Sequence, residues 1–335
     1  MSQIPAFLRT TGREADMQTI TNIHPSATAP FLREKTALDR AYEQLLAGRI
    51  APALDELFDD LLARREERPQ EWKAYSRACL DHPICRLLHQ DPFTFRAFAK
   101  PRGYAGDAVM MDYIYGMGDA YRAAQAATPL GRAIFQYMDT RPSARAVRYR
   151  RHLLAGLIDR SAGRGSARVL ALAAGHLREV ELSAAMQTGN VQEFVALDQD
   201  EASLSVVDRD YARLGVWSAS GSVRQILSRR AKLGQYDLVY AAGLFDYLTA
   251  PVAAALTCRM FEMVRPGGMM LIANFLSGIR DAGYMEAFMD WRLIYRNRSD
   301  MIALAAALPR NSVADCHVFE DPDDTIACLL VSKAG

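Results

Sequence analysis

A mostly parallel α/β sheet, preceded by an α-helical region and finished by an antiparallel hairpin, is the fold predicted for this 335-residue chain. Three observations predict it. Residues 1 to about 140 carry helical periodicity and no convincing strand, whereas from about residue 145 short apolar runs alternate with helical stretches. The last two strand-like runs are joined by only four residues, Asp321-Pro322-Asp323-Asp324. Parallel strands covered on both faces read as short continuous apolar runs. A four-residue link permits a hairpin and forbids a parallel crossover.

In the helical region, Leu38, Tyr42, Leu45, Leu46, Ile50, Leu54, Leu57, Phe58, Leu61 and Leu62 recur at steps of three and four, with Gly48 and Pro52 dividing the stretch into two helices. Asp91-Pro92 and Lys100-Pro101 break the pattern, and Pro101-Arg102-Gly103-Tyr104-Ala105-Gly106-Asp107 reads as an ordered loop. Eight arginines and a single acid, Asp159, lie between Arg141 and Arg168. They read as a solvated helix face whose long stems lie over apolar surface.

The strands follow in order. Val169–Ala174 ends at Gly175 and leads into a helical stretch to Gln187; Phe194–Leu197 ends at Asp198 before a helix through Arg213. Tyr236–Ala242 ends at Gly243, a helix from near Pro251 stops at Pro266-Gly267-Gly268, and Met269–Ala273 is the next strand. Ser312–Glu320 and Thr325–Ser332 form the hairpin.

Composition narrows the function classes. The chain is 50% hydrophobic, enough for a large core, and its length favours two domains, placed at 1–140 and 141–335. With 40 basic and 39 acidic side chains the net charge is +1, without the basic footprint of a general nucleic-acid binder. No run approaches the roughly 20 apolar residues of a membrane span. Met1-Ser2-Gln3-Ile4-Pro5 leads to Arg9, Arg13, Glu14 and Asp16 with no apolar leader core, so a cytoplasmic protein is expected, with neither a membrane nor a nucleic-acid partner. Five widely spaced cysteines without a CxxC pair, and six histidines without an HExxH, argue against a metal or disulfide framework. The oligomeric state is not encoded in any feature of the sequence.

In an open α/β sheet the ligand sits beyond the carboxyl ends of the strands. Small residues at Ala173-Ala174-Gly175 allow close backbone approach there. Asp198, 198 − 175 = 23 residues after Gly175, ends the second strand where a carboxylate can accept from both hydroxyls of a ribose. The competing reading is a helix N-cap, which suits Asp200 equally well. The second and third glycines of GxGxxG are missing and there is no GxxxxGK[ST], so a nucleoside without phosphates fits better than a dinucleotide.

Gly175, Asp198, Tyr236-Asp237-Leu238-Val239-Tyr240 and Arg265-Pro266-Gly267-Gly268, in this order before a terminal hairpin, resemble the class I S-adenosylmethionine (SAM)-dependent methyltransferases over roughly 145–335. The resemblance implies a Rossmann-like core with a seven-stranded, mostly parallel sheet. The chain departs from the usual first motif, with Ala171 in place of an acid and Ala173 and Leu177 in place of two glycines.

A narrower resemblance rests on Lys100-Pro101-Arg102-Gly103-Tyr104-Ala105-Gly106-Asp107, Ala242-Gly243-Leu244-Phe245-Asp246-Tyr247-Leu248 and Met289-Asp290-Trp291-Arg292-Leu293-Ile294-Tyr295-Arg296. These are similar to a bacterial subfamily labelled extracellular-factor 3-hydroxypalmitate methyl ester biosynthesis proteins. That subfamily carries a helical N-terminal domain and includes enzymes of secondary metabolism that cyclise SAM to azetidine-2-carboxylate.

The resemblance implies that Ala173, Ala174, Gly175 and His176 face the methionine part of SAM. Asp198 and Gln199 would hold its ribose, and Gly221, Ser222 and Val223 its adenine. Ala242, Gly243 and Phe245 would lie beneath the sulfonium. Arg102 would pair with the donor carboxylate and Tyr104 would cover the site. Tyr104, Asp107, Tyr115 and Asn274 would form the catalytic side, and Tyr113, Trp291 and Tyr295 the substrate side, where aromatic faces attract a cation. Against this, Trp291 and Tyr295 also fit a helical i, i+4 core pair. The expected function is a SAM-dependent transferase methylating a small carboxylate or amine, with no metal. The alternatives are cyclisation of SAM to azetidine-2-carboxylate with release of methylthioadenosine, and a non-catalytic SAM-binding protein.

Overall fold

The computed structural model describes residues 36–335 except 164 and 232. The segment read as lacking a leader, and Arg164 of the arginine-rich stretch, therefore lie outside the described residues. Ala37–Gly335 form one compact unit. Its first part is helical: α1 (Thr36–Leu46), α2 (Ile50–Glu67), α3 (Pro69–Asp81), α4 (Ile84–Leu88), α5 (Pro92–Ala99), α6 (Ala108–Tyr115), α7 (Gly118–Gln125), α8 (Pro129–Asp139) and α9 (Pro142–Ala162). The break between α1 and α2 falls at Gly48, whose φ of 74° suits glycine, while Pro52 sits harmlessly in the first turn of α2.

The sheet contains β1 (Ala167–Leu172), β2 (Val191–Asp198), β3 (Val216–Ser220), β4 (Tyr236–Ala241), β5 (Val264–Phe275), β6 (Val313–Glu320) and β7 (Ile326–Lys333). Its order is β3-β2-β1-β4-β5-β7-β6. The first five strands pair in parallel, and β7 runs antiparallel to both β5 and β6. The remaining helices are α10 (Ala184–Gln187), α11 (Glu201–Tyr211), α12 (Val223–Leu227), α13 (Ala250–Glu262), α14 (Ala282–Phe288) and α15 (Arg298–Ala305).

Strand alternation divides the core. Val169 and Ala171 of β1 and Leu238 and Tyr240 of β4 pack with the helical layer of α1–α9. Leu170, Leu172, Val239 and Ala241 face the opposite way, against α13 and α15. Successive side chains of a strand point to opposite faces, so an unbroken apolar run is what two covered faces require. At the far end of the helical layer, Arg65 and the indole of Trp72 donate to the buried carboxylate of Glu286 at 2.9 and 2.7 Å. Among the described residues no helix is long and apolar enough to cross a membrane.

Three local expectations are corrected. The helix expected after Gly175 is a 3₁₀ turn at Arg178–Leu182 followed by the four-residue α10, whose N-cap Ser183 accepts from Met186 N–H. Arg265-Pro266-Gly267-Gly268 does not separate a helix from a strand but lies within β5, where the pairing with β4 slips between Tyr236 and Leu238. Trp291 and Tyr295 are not a helical pair, because α14 ends at Phe288 and the chain from Asp290 to Tyr295 is not helical.

Candidate active site

Two of the sheet's connections leave in opposite directions, from β1 toward β2 and from β3 across to β4, and the crevice between β1 and β4 opens there. A cavity of about 590 Å³ occupies it, of the size that holds small molecules. Its floor comes from the ends of β1, β2, β3 and β4, and its roof from the Arg102–Gly106 loop, α6, α9 and the segment around Trp291.

At one end lies Asp198, 6% exposed. Its Oδ2 accepts from Gly175 N–H at 2.8 Å and its Oδ1 from Asp200 N–H at 2.9 Å. Each oxygen retains capacity for another donor. The helix cap is Asp200, which accepts from Ala202 N–H at the start of α11.

The loop held by Asp198 keeps a glycine-like backbone where glycine is missing. Ala173 and Leu177 have φ of 51° and 53°, beside Gly175 at 56°. A left-handed L-residue costs about 1–2 kcal/mol. Ala173→Gly is accordingly expected to raise stability by about 1 kcal/mol in urea unfolding, after the larger unfolded-state entropy of glycine is offset. Unchanged or lower stability would refute the strain.

The same end is braced by a buried polar network. Arg102 donates to Asp200 Oδ2 at 2.9 Å and Ser203 Oγ at 2.8 Å, and approaches His176 Nε2 at 3.3 Å. His176 Nδ1 lies 2.8 Å from Asp112 Oδ2. An arginine on Nε2 and a carboxylate on Nδ1 assign the hydrogen to Nδ1, so this histidine is an oriented link. Arg178 closes the network with two bonds to Asp112 and one each to Asp210 and Tyr211. Burial alone would raise the Asp112 carboxyl, but the bonds from His176 and Arg178 outweigh it and hold it below its ordinary value. Tyr104 lies over this end; burial, then the nearby Asp198, Asp200 and Asp107, raise its hydroxyl strongly.

The other end is aromatic. Trp291 Nε1 donates to Tyr247 Oη at 2.9 Å. Gly106 sits directly against the pair, and a Cβ there would fall 2.5 Å from Tyr247 Oη and 2.6 Å from Trp291 Cζ2. Gly106→Ala must therefore displace the loop. It is expected to weaken binding of a cavity ligand by about tenfold while leaving global stability nearly unchanged, since the loop rather than the core yields. Equal affinity by calorimetry would show that loop and aromatics do not close on the ligand.

Between the ends, Arg150 from α9 donates to Ala242 O and Met111 S. Tyr240 Oη donates to the buried Glu179. Burial raises the Glu179 carboxyl despite that bond. Tyr115 sits in the same wall with the Arg151 guanidinium 4.9 Å from its ring centre. Asp246 follows β4, with Oδ1 accepting from Phe275 N–H at 2.7 Å.

Of the residues expected at the site, Arg102, Tyr104, Tyr115, Ala173, Ala174, Gly175, His176, Asp198, Gln199, Gly221, Ser222, Val223, Ala242, Gly243 and Trp291 line the cavity. The others do not. Asp107 caps α6 through Met110 N–H and is gripped by Arg96 through both carboxylate oxygens. Asn274 donates to Phe275 O and Ile294 O and accepts from Arg296, which fixes the chain around β5. Phe245 is fully buried beneath the sheet's other face. Tyr113 packs edge-on against Phe93 and Phe135, and Tyr295 lies under the guanidinium of Arg65.

The cavity also holds Arg150, Glu179, Tyr240, Asp246 and Tyr247, which were not singled out from the sequence. For Arg150 the signal was present. Ala146, Val147, Leu154, Leu157 and Ile158 are buried on α9, and position 150 shares their helical phase. The arginine stretch is thus not uniformly solvated, because Arg141 and Arg150 are 6% exposed.

No family model matches the chain, and no curated protein matches it in sequence. Among solved structures it is similar to a possible exported protein from Bordetella parapertussis, with a TM-score of 0.54 and 16% identity over 68% of this chain and 80% of that one. It is also similar to the CurJ carbon methyltransferase, with a TM-score of 0.50 and 13% identity over 78% of this chain and 71% of that one. Sheet order, terminal hairpin and this likeness define the fold: a Rossmann-like core with the fold of class I methyltransferases, joined to a helical N-terminal region.

Proposed function

We propose that the protein is a SAM-dependent transferase that methylates a small carboxylate or amine within the cavity. The observation that carries this reading is the buried Asp198 carboxylate at the end of β2, bonded to Gly175 N–H in the loop after the neighbouring β1 of a methyltransferase-type sheet. Asp198 and Gln199 would hold the ribose, Gly221, Ser222 and Val223 the adenine edge, and Ala173–His176 the methionine part. Tyr104 and the Gly106 turn would shut out water. When bound, SAM supplies an electrophilic methyl carbon and a neutral thioether leaving group. The side chains therefore have chiefly to align and desolvate, and Arg150, Tyr115 and Tyr247 stand where an acceptor would be aligned.

Isothermal titration calorimetry with SAM and S-adenosylhomocysteine tests the reading. Micromolar binding of both is expected, and binding of neither would overturn it. A second reading, cyclisation of SAM to azetidine-2-carboxylate, is favoured by the close seal of Gly106 on Tyr247 and Trp291, since it needs no room for another substrate. Methylthioadenosine formed from SAM alone would select it, whereas tight binding without turnover on any acceptor would select a non-catalytic SAM-binding role.

A further inference from the structure

Asp246 is a buried carboxylate of the cavity wall whose donors are backbone N–H groups. It is 3% exposed, lines the cavity just past β4, and receives the Phe275 N–H on Oδ1. No side-chain donor among the described residues bonds to it. Arg150 and Arg296 are near enough to act on it electrostatically, yet both are engaged elsewhere. Arg150 donates to Ala242 O and Met111 S, and Arg296 to Phe245 O, Leu248 O and Asn274 Oδ1. Buried carboxylates are normally paired or hydrogen-bonded on both oxygens. Of the other buried carboxylates of the wall, Glu179 has its donor in Tyr240, and Asp198 receives a backbone N–H on each oxygen. Leu248, Leu293, Tyr247 and Trp291 share the cavity lining with Asp246, together with Arg150, whose guanidinium is held by Ala242 O. A carboxylate with no side-chain donor, set beside aromatic faces, complements a small cation bearing N–H donors.

We propose that the acceptor is a small amine, a molecule separate from SAM, and that Asp246 holds its ammonium and takes its proton. The proposal rests on the SAM reading above and narrows its acceptor class. The ammonium proton passes to the Asp246 carboxylate. The freed nitrogen pair forms the new N–C bond while the pair of the breaking S–C bond stays on sulfur. Burial pushes the Asp246 carboxyl up to about 6, against the opposing Arg150 and Arg296, so the group is charged yet basic near neutrality. Tyr247, Tyr104 and Tyr295, the other titratable groups facing this region, have hydroxyls raised well above neutrality and stay uncharged.

The test compares two ligands by calorimetry. Sinefungin carries an ammonium where SAM carries its methyl, and S-adenosylhomocysteine carries nothing there. At pH 8 the wild-type chain is expected to bind sinefungin at least about tenfold more tightly, as one charge-assisted bond allows. Asp246→Asn, whose Oδ1 can still accept from Phe275 N–H, should bring the two within about twofold while S-adenosylhomocysteine affinity changes less than about threefold. In the wild type the preference should fade as pH drops below about 6, where the free carboxyl becomes neutral. A wild type without the preference, a preference that survives in Asp246→Asn, or methylthioadenosine from SAM alone would overturn the proposal. Failure of the wild type to bind S-adenosylhomocysteine would instead overturn the SAM reading beneath it.

Discussion

Asp198→Ala is expected to lower affinity for S-adenosylhomocysteine by about 100-fold or more. The carboxylate would accept two ribose hydroxyls, and charge-assisted bonds contribute about 1.5–3 kcal/mol each. The side chain also receives Gly175 and Asp200 N–H, so its loss frees the loop that carries the left-handed Ala173 and Leu177. Asp198→Asn separates the two effects. It can keep one backbone bond but loses the charge, and should fall between wild type and alanine. Calorimetry beside urea unfolding reads both quantities. An affinity within threefold of wild type in a folded Asp198→Ala chain would remove the residue from the binding site.

The second large effect is structural. Arg178→Met should destabilise the chain by about 3–5 kcal/mol, because it leaves Asp112 buried without the guanidinium that meets both its oxygens. With that partner gone, burial dominates and the Asp112 carboxyl rises. The carboxyl is now held low, so its stabilising contribution is present at neutral pH and is lost as pH falls through the acid range. The variant should therefore show a weaker loss of stability on acidification than the wild type. Adding Asp112→Asn to Arg178→Met should recover part of the deficit, since no buried charge is then stranded. Additive losses in equilibrium unfolding would show that the two residues are not coupled.

The core strands were legible because burial on both faces writes them as continuous apolar runs, and the hairpin because four residues cannot cross a sheet. Asp198 was legible because the strand before it ends where the fold puts ligands. Asp107 and Asn274 were misread for a physical reason. A carboxylate that caps a helix and an amide that ties a strand end to a neighbouring loop have the same composition as catalytic groups, and only coordinates tell which donors surround them. Arg150 was misread as one of a run of charges, although its helical phase placed it among buried residues. Asp246 stands within the Ala242–Leu248 motif, but neither it nor Glu179 shows its burial locally, since that is made by α9 and by the chain after β5.

The bond from Trp72 to Glu286 has a consequence in time. The two residues are 214 positions apart. At a synthesis rate of about 5–20 residues per second, the indole emerges about 10–40 s before its acceptor exists. During that interval the helical layer carries an amphipathic surface whose partner has not yet been made. The protein's most exposed moment is thus during its own translation, before α14 exists to cover that surface.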